Sequence, residues 1–289
     1  MPDLPDLVVV VVSFNTGEYL SRCMGSIHAS AGDVRLEVVV VDNASSDGSP
    51  DRATRGRPDV RLIRNPGNRG FARAANQGIA ATGAPLVLLL NPDAEIVGGT
   101  LAALVKVARE RPRAGAIGVL VRNPDGSIQP SARRVPRLGE ALGHAFLGPI
   151  WPGNPWTRSY TMAGWDRSSE REVEWVSGSA MLLRREALEE VGPFDEGYFM
   201  YVEDVDLCTR LRRAGWSVLF SPELEVVHQI GVSTHGQRGR MAFAHSDSIY
   251  RYFAKHRAGG ANALLSPFVR VAVWLRAALM SVLPRRRPT

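Results

Sequence analysis

Four apolar runs, Leu7 to Ser13, Glu37 to Val41, Val60 to Ile63 and Pro85 to Leu90, constrain the fold of this chain more than any other feature. They are rich in Val, Leu and Ile and barely alternate with polar residues. A strand of that kind belongs to a sheet covered on both faces. Helical stretches separate the runs, at Glu18 to Ala29, Asp51 to Arg55 and Phe71 to Thr82, giving a β-α-β-α order. The expected fold is therefore α/β, a doubly wound and mostly parallel sheet with helices on both faces. A helix over Thr100 to Arg111 and a strand over Ala114 to Arg122 extend the pattern.

Between Asn123 and Glu174 the pattern dissolves, because Pro124, Pro130, Pro136, Pro149, Pro152 and Pro155 forbid long regular elements. Residues 123–174 read as a loop-rich segment with one short helix near Leu138 to Ala145. Order returns with a strand at Val176 to Arg184, a helix at Arg185 to Val191, a helix at Val205 to Ala214 and a late strand at Ser217 to Ser221, just before His228.

Charge separates the ends of the chain. Of 35 basic residues ten follow position 229, whereas Asp247 alone of the 29 acidic residues does. The net charge of +6 thus marks one basic surface, and the chain is not expected to bind nucleic acid. In the same region Leu264, Leu265, Phe268, Val271, Trp274, Leu275, Leu279 and Val282 recur at helical spacing, with Arg270 and Arg276 between them and Arg285, Arg286 and Arg287 after them. An amphipathic helix lying on an anionic membrane surface fits this pattern, and so does a helix packed on the domain with a solvated tail. Cys23 and Cys208 fall in helical stretches and read as free thiols of a reducing compartment. Met1 to Asp6 lacks a basic n-region and Leu7 to Val12 is too short to span a bilayer, so the expected location is the cytoplasm.

In doubly wound sheets ligands lie beyond the carboxyl ends of the strands, and polar residues gather there. Ser13, Phe14 and Asn15 end the first strand, Asp42 to Gly48 follow the second, and Asn91, Pro92 and Asp93 follow the fourth. No phosphate-binding glycine loop is present, since Asn65-Pro66-Gly67-Asn68-Arg69-Gly70 does not supply a dinucleotide fingerprint. Glu203, Asp204 and Asp206 place three carboxylates within four residues, where mutual repulsion and burial would raise at least one pKa and suit a general base. The same acids could instead stabilise the macrodipole of the following helix, the role expected of Asp206.

With these motifs in order, the chain resembles the inverting glycosyltransferases of the GT-A fold, family 2, in their bacterial rhamnosyltransferase-like branch. The resemblance covers about Leu7 to Gly231. It rests on Val12-Ser13-Phe14-Asn15, on Val41 to Gly48, on Asn65 to Ala72, on Asn91-Pro92-Asp93 and on Glu203-Asp204. It implies a GT-A domain over 1–231, with 123–174 as a candidate acceptor loop, and a basic, amphipathic helical extension over 232–289. It further implies that Asp42 contacts the pyrimidine base and that Ser13, Asn15, Asn68 and Arg69 line the nucleotide pocket. Asp93 would hold Mg²⁺ or Mn²⁺ on the diphosphate, although Asn91 replaces the first carboxylate of the Asp-X-Asp form. His228 matches a position where many relatives add an imidazole ligand, with a loop histidine as the alternative; His235 is a weaker candidate. Asp204 aligns with the family's base, Glu203 would orient the acceptor or Asp204, and Trp175 offers a ring for a sugar or belongs to the core.

The expected reaction is transfer of L-rhamnose from dTDP-rhamnose to a sugar on a polyprenyl diphosphate, such as N-acetylglucosaminyl diphosphoryl polyprenol, by an enzyme peripheral to the inner face of the plasma membrane. A UDP-dependent galactofuranosyl- or hexosyltransferase, or a silent nucleotide-sugar-binding module, is the alternative.

Overall fold

A computed structural model describes residues 4–136, 138–148, 151–229, 238–257 and 259–282 of the chain. The 231/232 boundary, His235 and Arg285 to Arg287 lie outside the described residues. In chain order the elements are β1 (Leu7–Ser13), α1 (Tyr19–Ala29), β2 (Leu36–Asp42), α2 (Ser49–Thr54), β3 (Val60–Arg64), α3 (Phe71–Ala80), β4 (Leu86–Leu90), β5 (Ala94–Gly99), α4 (Leu101–Glu110), β6 (Ala114–Arg122), β7 (Ala132–Arg133), α5 (Leu138–Leu147), α6 (Pro155–Thr161), β8 (Arg171–Glu172), β9 (Trp175–Val176), β10 (Ala180–Arg184), α7 (Arg185–Val191), α8 (Glu203–Arg213), β11 (Ser217–His228), α9 (Arg238–His256), a 3-10 turn over Gly260–Leu265, and α10 (Ser266–Val282).

The main sheet runs β3-β2-β1-β4-β10-β6-β11-β5, with β8 beside β11. β1 pairs parallel with β2 and β4, while β10 is antiparallel to both its neighbours. Successive side chains of β1 serve opposite layers. Leu7, Val9 and Val11 pack with Leu20, Met24 and Leu104 on one face, and Val8 and Val10 pack with Ala75, Ile79 and Leu183 on the other. Burial on both faces is why the run does not alternate. Each such side chain stabilises the fold by about 1.5–3 kcal/mol.

Several elements differ from the sequence expectation, among them the added strand β5. The run Val176 to Arg184 is broken into β9 and β10, because Ser177, Gly178 and Ser179 turn away to meet other partners described below. The late strand does not stop at Ser221: β11 passes Pro222 through a register shift and continues to His228, the proline lying where ladder hydrogen bonds are interrupted. Residues 123–174 carry two helices. Pro155 starts α6 in the first helical turn, where its missing N–H costs nothing, and Asn154 caps that helix by accepting from the Thr157 amide.

The C-terminal helices pack on the domain. Asp206, fully buried, accepts from Arg210 Nε at 2.8 Å, Lys255 Nζ at 2.9 Å and His256 Nε2 at 2.7 Å. Burial alone would raise its pKa, yet these donors hold the carboxyl well below its usual range. Asp206 is thus more than a first-turn residue, since it clamps α9 to α8. Against α9, Phe253 packs with Val269 and Val273 of α10, whereas Phe268 and Leu275 on the outer face are 72% and 64% exposed. By length and composition alone, residues 263–281 could cross a membrane.

Candidate functional site

The carboxyl ends of the neighbouring strands β1, β2 and β4 gather most of the candidate polar residues. Ser13 and Asp42 are paired in register, and the Asn43 amide donates to the Ser13 carbonyl at 2.8 Å. Most polar groups placed there by sequence hydrogen-bond one loop to another. Ser13 is fully buried with its hydroxyl 3.0 Å from that of Thr16. Asn15, at φ 52°, accepts from the Ser46 amide at 2.8 Å. Asp42 is buried, accepting from the Ser45 amide at 2.9 Å with the Arg64 guanidinium 3.7 Å away. Asp47, which sequence reasoning left without a role, ties the two loops by accepting from the Gly17 amide at 2.8 Å.

Loop Asn65 to Gly70 is joined to the end of the second strand. Asn65 bonds the side chains of Asn43 and Gln77, and Asn43 donates to the Gly70 carbonyl at 3.1 Å. Asn68 accepts from the Gly70 amide at 2.9 Å, while Arg69 is exposed. Gly70 is required here. Its φ is +84°, and a Cβ would lie 2.4 Å from the Phe199 carbonyl oxygen, which accepts from the Phe71 amide at 2.8 Å. This close approach brings the segment before α8 against the Asn65 to Gly70 loop.

Asp93 and His228 meet where β11 pairs with β5, although they are far apart in sequence. His228 Nε2 lies 3.2 Å from Asp93 Oδ1 and 3.1 Å from Asn91 Nδ2. At its other nitrogen, Nδ1 is 3.1 Å from Gln129 Oε1, and Gln129 Nε2 donates to the His228 carbonyl at 2.9 Å. Gln129 therefore fixes both ring and backbone; with Nδ1 donating to Gln129, Nε2 accepts from Asn91 Nδ2 beside Asp93, an imidazole oriented by an outer carbonyl as metal-ligating histidines are. One carboxylate and one imidazole fit a divalent ion such as Mn²⁺, and substrate phosphates and water would supply the rest of its shell. Among the described residues no cluster of three or more His, Cys, Asp or Glu side chains could hold a metal.

The acidic pair opens α8. Tyr201 and Val202 precede it with φ of 70° and 67°, a left-handed pair that costs on the order of 1–3 kcal/mol per residue and persists only where packing enforces it. This turn aims Asp204 at the break between β9 and β10, with Glu203 beside it in sequence. Asp204 Oδ2 accepts from the Gly178 amide at 3.0 Å and Oδ1 from the Val205 amide at 2.8 Å. On the same break, the Ser179 carbonyl accepts from the Asn91 amide at 2.9 Å. The three residues Ser177 to Ser179 thus join the acidic pair to the turn that carries Asp93.

Burial raises the Asp204 pKa above its usual value, with the Gly178 and Val205 amides opposing the shift. Glu203 goes further. Burial first, then the charge of Asp204, hold it well above the ordinary carboxyl range, and its buried Oε2 has no hydrogen-bond partner among the described residues. Both carboxyls are thus pushed up, Glu203 further than Asp204, an ordering of the kind that an orienting acid beside a base requires.

Trp175 does not present an open ring face. It is 6% exposed, its indole N–H donates to the Arg134 carbonyl at 3.0 Å, and the Arg133 guanidinium lies 5.1 Å from its ring. Two groups eluded the sequence. Gln129 stands in the proline-rich segment with no local signal, and Tyr201-Val202 carries strain without glycine.

Comparison with known proteins follows this geometry. Residues 8–192 match the family model described as Glycosyl transferase family 2, and residues 153–285 match Glycosyl transferase family group 2. The chain is 41% identical over 285 residues, 95% of its length and 92% of the other, to an N-acetylglucosaminyl-diphospho-decaprenol L-rhamnosyltransferase of Mycobacterium tuberculosis. It is 31% identical over 175 residues, 59% of this chain and 62% of the other, to a rhamnosyltransferase of Escherichia coli K12. Two solved structures share the fold. A mannosyltransferase from Pyrobaculum calidifontis, in complex with GDP-Man and Mn²⁺, aligns with TM-score 0.57 at 19% identity over 96% of this chain and 74% of that one. GalNAc-T7 with UDP, GalNAc and Mn²⁺ aligns with TM-score 0.61 at 16% identity over 94% of this chain and 55% of that one.

Proposed function

We propose, for a chain that belongs to glycosyl transferase family 2 and is a glycosyltransferase of the GT-A fold, that it moves L-rhamnose from dTDP-rhamnose to an N-acetylglucosaminyl diphosphoryl polyprenol. The sugar and acceptor rest on the 41% identity, over nearly the whole chain, to the mycobacterial rhamnosyltransferase, whose name states both. The single structural observation that supports the chemistry is the Glu203-Asp204 pair, Glu203 buried and Asp204 half-buried, joined through Ser177 to Ser179 to the Asn91-Pro92-Asp93 turn.

In this reading Asp204 accepts the proton of the acceptor hydroxyl as that oxygen attacks the anomeric carbon. The carbon–oxygen bond to the nucleoside diphosphate breaks in the same displacement and the sugar's configuration inverts. Burial makes Asp204 a stronger base than a solvated aspartate, and the Gly178 amide fixes its direction. Burial favours the protonated form of Glu203, which has an O–H to donate and an oxygen to accept and so suits orienting the acceptor. Asp42, Ser13, Asn15, Asn68 and Arg69 are assigned to the nucleotide pocket, where Arg69 reaches solvent and the others hold the loops. Asp93 and His228 would carry Mg²⁺ or Mn²⁺, with Gln129 behind the imidazole. When bound, the ion would offset the charge that develops on the leaving diphosphate.

Residues 1–231 would constitute the catalytic domain and 232–289 an extension that places it on the cytoplasmic face of the membrane. The exposed apolar side of α10 and the basic excess of the tail support peripheral attachment to anionic lipid. The test is transfer by purified protein from dTDP-rhamnose, UDP-galactofuranose and UDP-hexoses to N-acetylglucosaminyl diphosphoryl lipid, each with Mg²⁺ or Mn²⁺. Product from dTDP-rhamnose is expected. Transfer from a UDP-sugar alone would replace the donor assignment, and no turnover with any donor would point to a silent binding module.

A further inference from the structure

Tyr201 and Val202 hold a left-handed backbone without a glycine, so contacts outside the turn must stabilise it. Helix α9 lies against this turn. His245, Ser248, Arg251 and Lys255 are spaced three, three and four residues apart, which places them in one stripe of that helix. Four consecutive residues ahead of Val202 each meet α9. The Arg251 guanidinium lies 5.3 Å from the Tyr198 ring, and that of Arg240 lies 5.4 Å from the Phe199 ring. The Ser248 hydroxyl donates to the Met200 carbonyl at 2.9 Å, and the His245 ring meets the Tyr201 ring edge to face with centroids 5.2 Å apart. Ion pairs secure the two flanks. Arg251 and Lys255 bind Asp195 at 2.7 Å and 2.9 Å before the turn, and Lys255 with His256 holds Asp206 after it. The acidic pair thus sits between two points fixed by one helix.

We propose that α9 enforces the Tyr201-Val202 turn and through it the aim of Asp204, which makes Ser248 and His245 positioning residues for sugar transfer. The proposal rests on Asp204 as the base, and it gives α9 a part in the chemistry beyond carrying α10 to a membrane. Ser248 is buried and bonds the backbone one residue ahead of the left-handed pair, so deleting its hydroxyl loosens the turn without altering Glu203 or Asp204. His245 acts by packing. Burial pushes its pKa down to about 4, so its ring is neutral at pH 7 and a phenyl ring can take its place. Neither change touches the ion pairs of Asp195 and Asp206, which keep α9 docked.

Hydrogen exchange of the full chain tests this without donor or acceptor. The Gly178 amide donates to Asp204, so its protection reports the aim of that carboxylate. Ser248→Ala and His245→Ala are each expected to speed its exchange by about 3–10-fold, the effect of losing one modest contact. The buried amides of β1 should keep their protection, and His245→Phe should restore that of Gly178. In the transfer assay kcat should fall by about the same factor, with the donor KM within about twofold of the parent's. Val202→Gly removes the Cβ that disfavours the left-handed backbone, so in that background the Ser248→Ala loss of kcat should shrink to less than about twofold. Gly178 protection unchanged in both folded alanine variants would overturn the proposal. Parental kcat despite lost protection would overturn it too, as would a Ser248→Ala loss equal with and without Val202→Gly. Full turnover by Asp204→Asn would instead refute the base, while exchange at Gly178 still decides whether α9 holds the turn.

Discussion

Replacing Asp204 by Asn removes a base while keeping its size, and two effects of different magnitude can be worked from its surroundings. The carboxylate accepts the Gly178 amide at 3.0 Å and the Val205 amide at 2.8 Å on separate oxygens. A carboxamide offers one oxygen, so one of these N–H groups is left facing an NH₂. Leaving a buried donor unsatisfied costs about 1–3 kcal/mol, and relief from burying a charge offsets part of it. At about 2–4 °C per kcal/mol in a large domain, Tm falls by several degrees. Loss of a positioned general base should lower kcat by about two to four orders of magnitude, roughly 2.7–5.5 kcal/mol of barrier. The two separate in one experiment. Initial rates measured well below the Tm of both proteins, together with calorimetric donor binding, should show kcat collapsing at nearly constant donor affinity. Turnover within tenfold of the parent in a folded variant would remove Asp204 from the chemistry. Loss of donor affinity in parallel with rate would make it a donor ligand instead.

Four further outcomes follow from the same geometry. Asp93→Ala should abolish metal-dependent donor binding, and Gln129→Leu, by freeing the His228 ring, should weaken Mn²⁺ in a metal titration by about 10–100-fold; activity undiminished in excess EDTA would refute the metal assignment. Glu203 has a folded-state pKa raised above its ordinary 4.5, so the folded protein holds that proton more tightly than the unfolded chain and loses stability as pH climbs above 4.5. Glu203→Gln should therefore have a higher Tm than the parent at neutral pH and lose that advantage at pH 4, and a pH-independent difference would contradict the assignment. The acid limb of the parent's rate profile should also lie above pH 3.8, the ordinary aspartate value, and a limb at or below that value would argue against a raised base. Removing residues 262–289 should release the protein from anionic vesicles, with binding in the parent falling as salt rises. Because Val269 and Val273 pack on α9, the cleaner variant is Phe268→Ser with Leu275→Ser, which touches only the exposed face. Sedimentation with vesicles equal to the parent's would reject membrane attachment.

The first half of the fold was legible because its strands are buried on both faces and announce themselves as unbroken apolar runs. β5 was not, since Ala94–Gly99 is short and mixed and its partner β11 lies more than a hundred residues later. The prolines after Asn123 were read as breakers, yet Pro155 begins a helix, because a proline in the first turn forfeits no hydrogen bond. Within the site, Asp93 and Asp204 were visible as acids at strand and helix ends. Gln129 was invisible because its function is a contact to His228, 99 residues away. Tyr201 and Val202 gave no warning, as their left-handed backbone is imposed by packing rather than encoded by glycine. Trp175 showed only that it was aromatic, and the structure buries it.

The central claim is an inverting displacement that delivers rhamnose to a lipid-linked N-acetylglucosamine with Asp204 as base. The most direct measurement is the NMR anomeric configuration of the disaccharide formed from dTDP-rhamnose and N-acetylglucosaminyl diphosphoryl lipid. It predicts one rhamnosyl residue per acceptor, at an anomeric configuration opposite to that of the donor, with dTDP released in equal amount. Retention of the donor's configuration would contradict it.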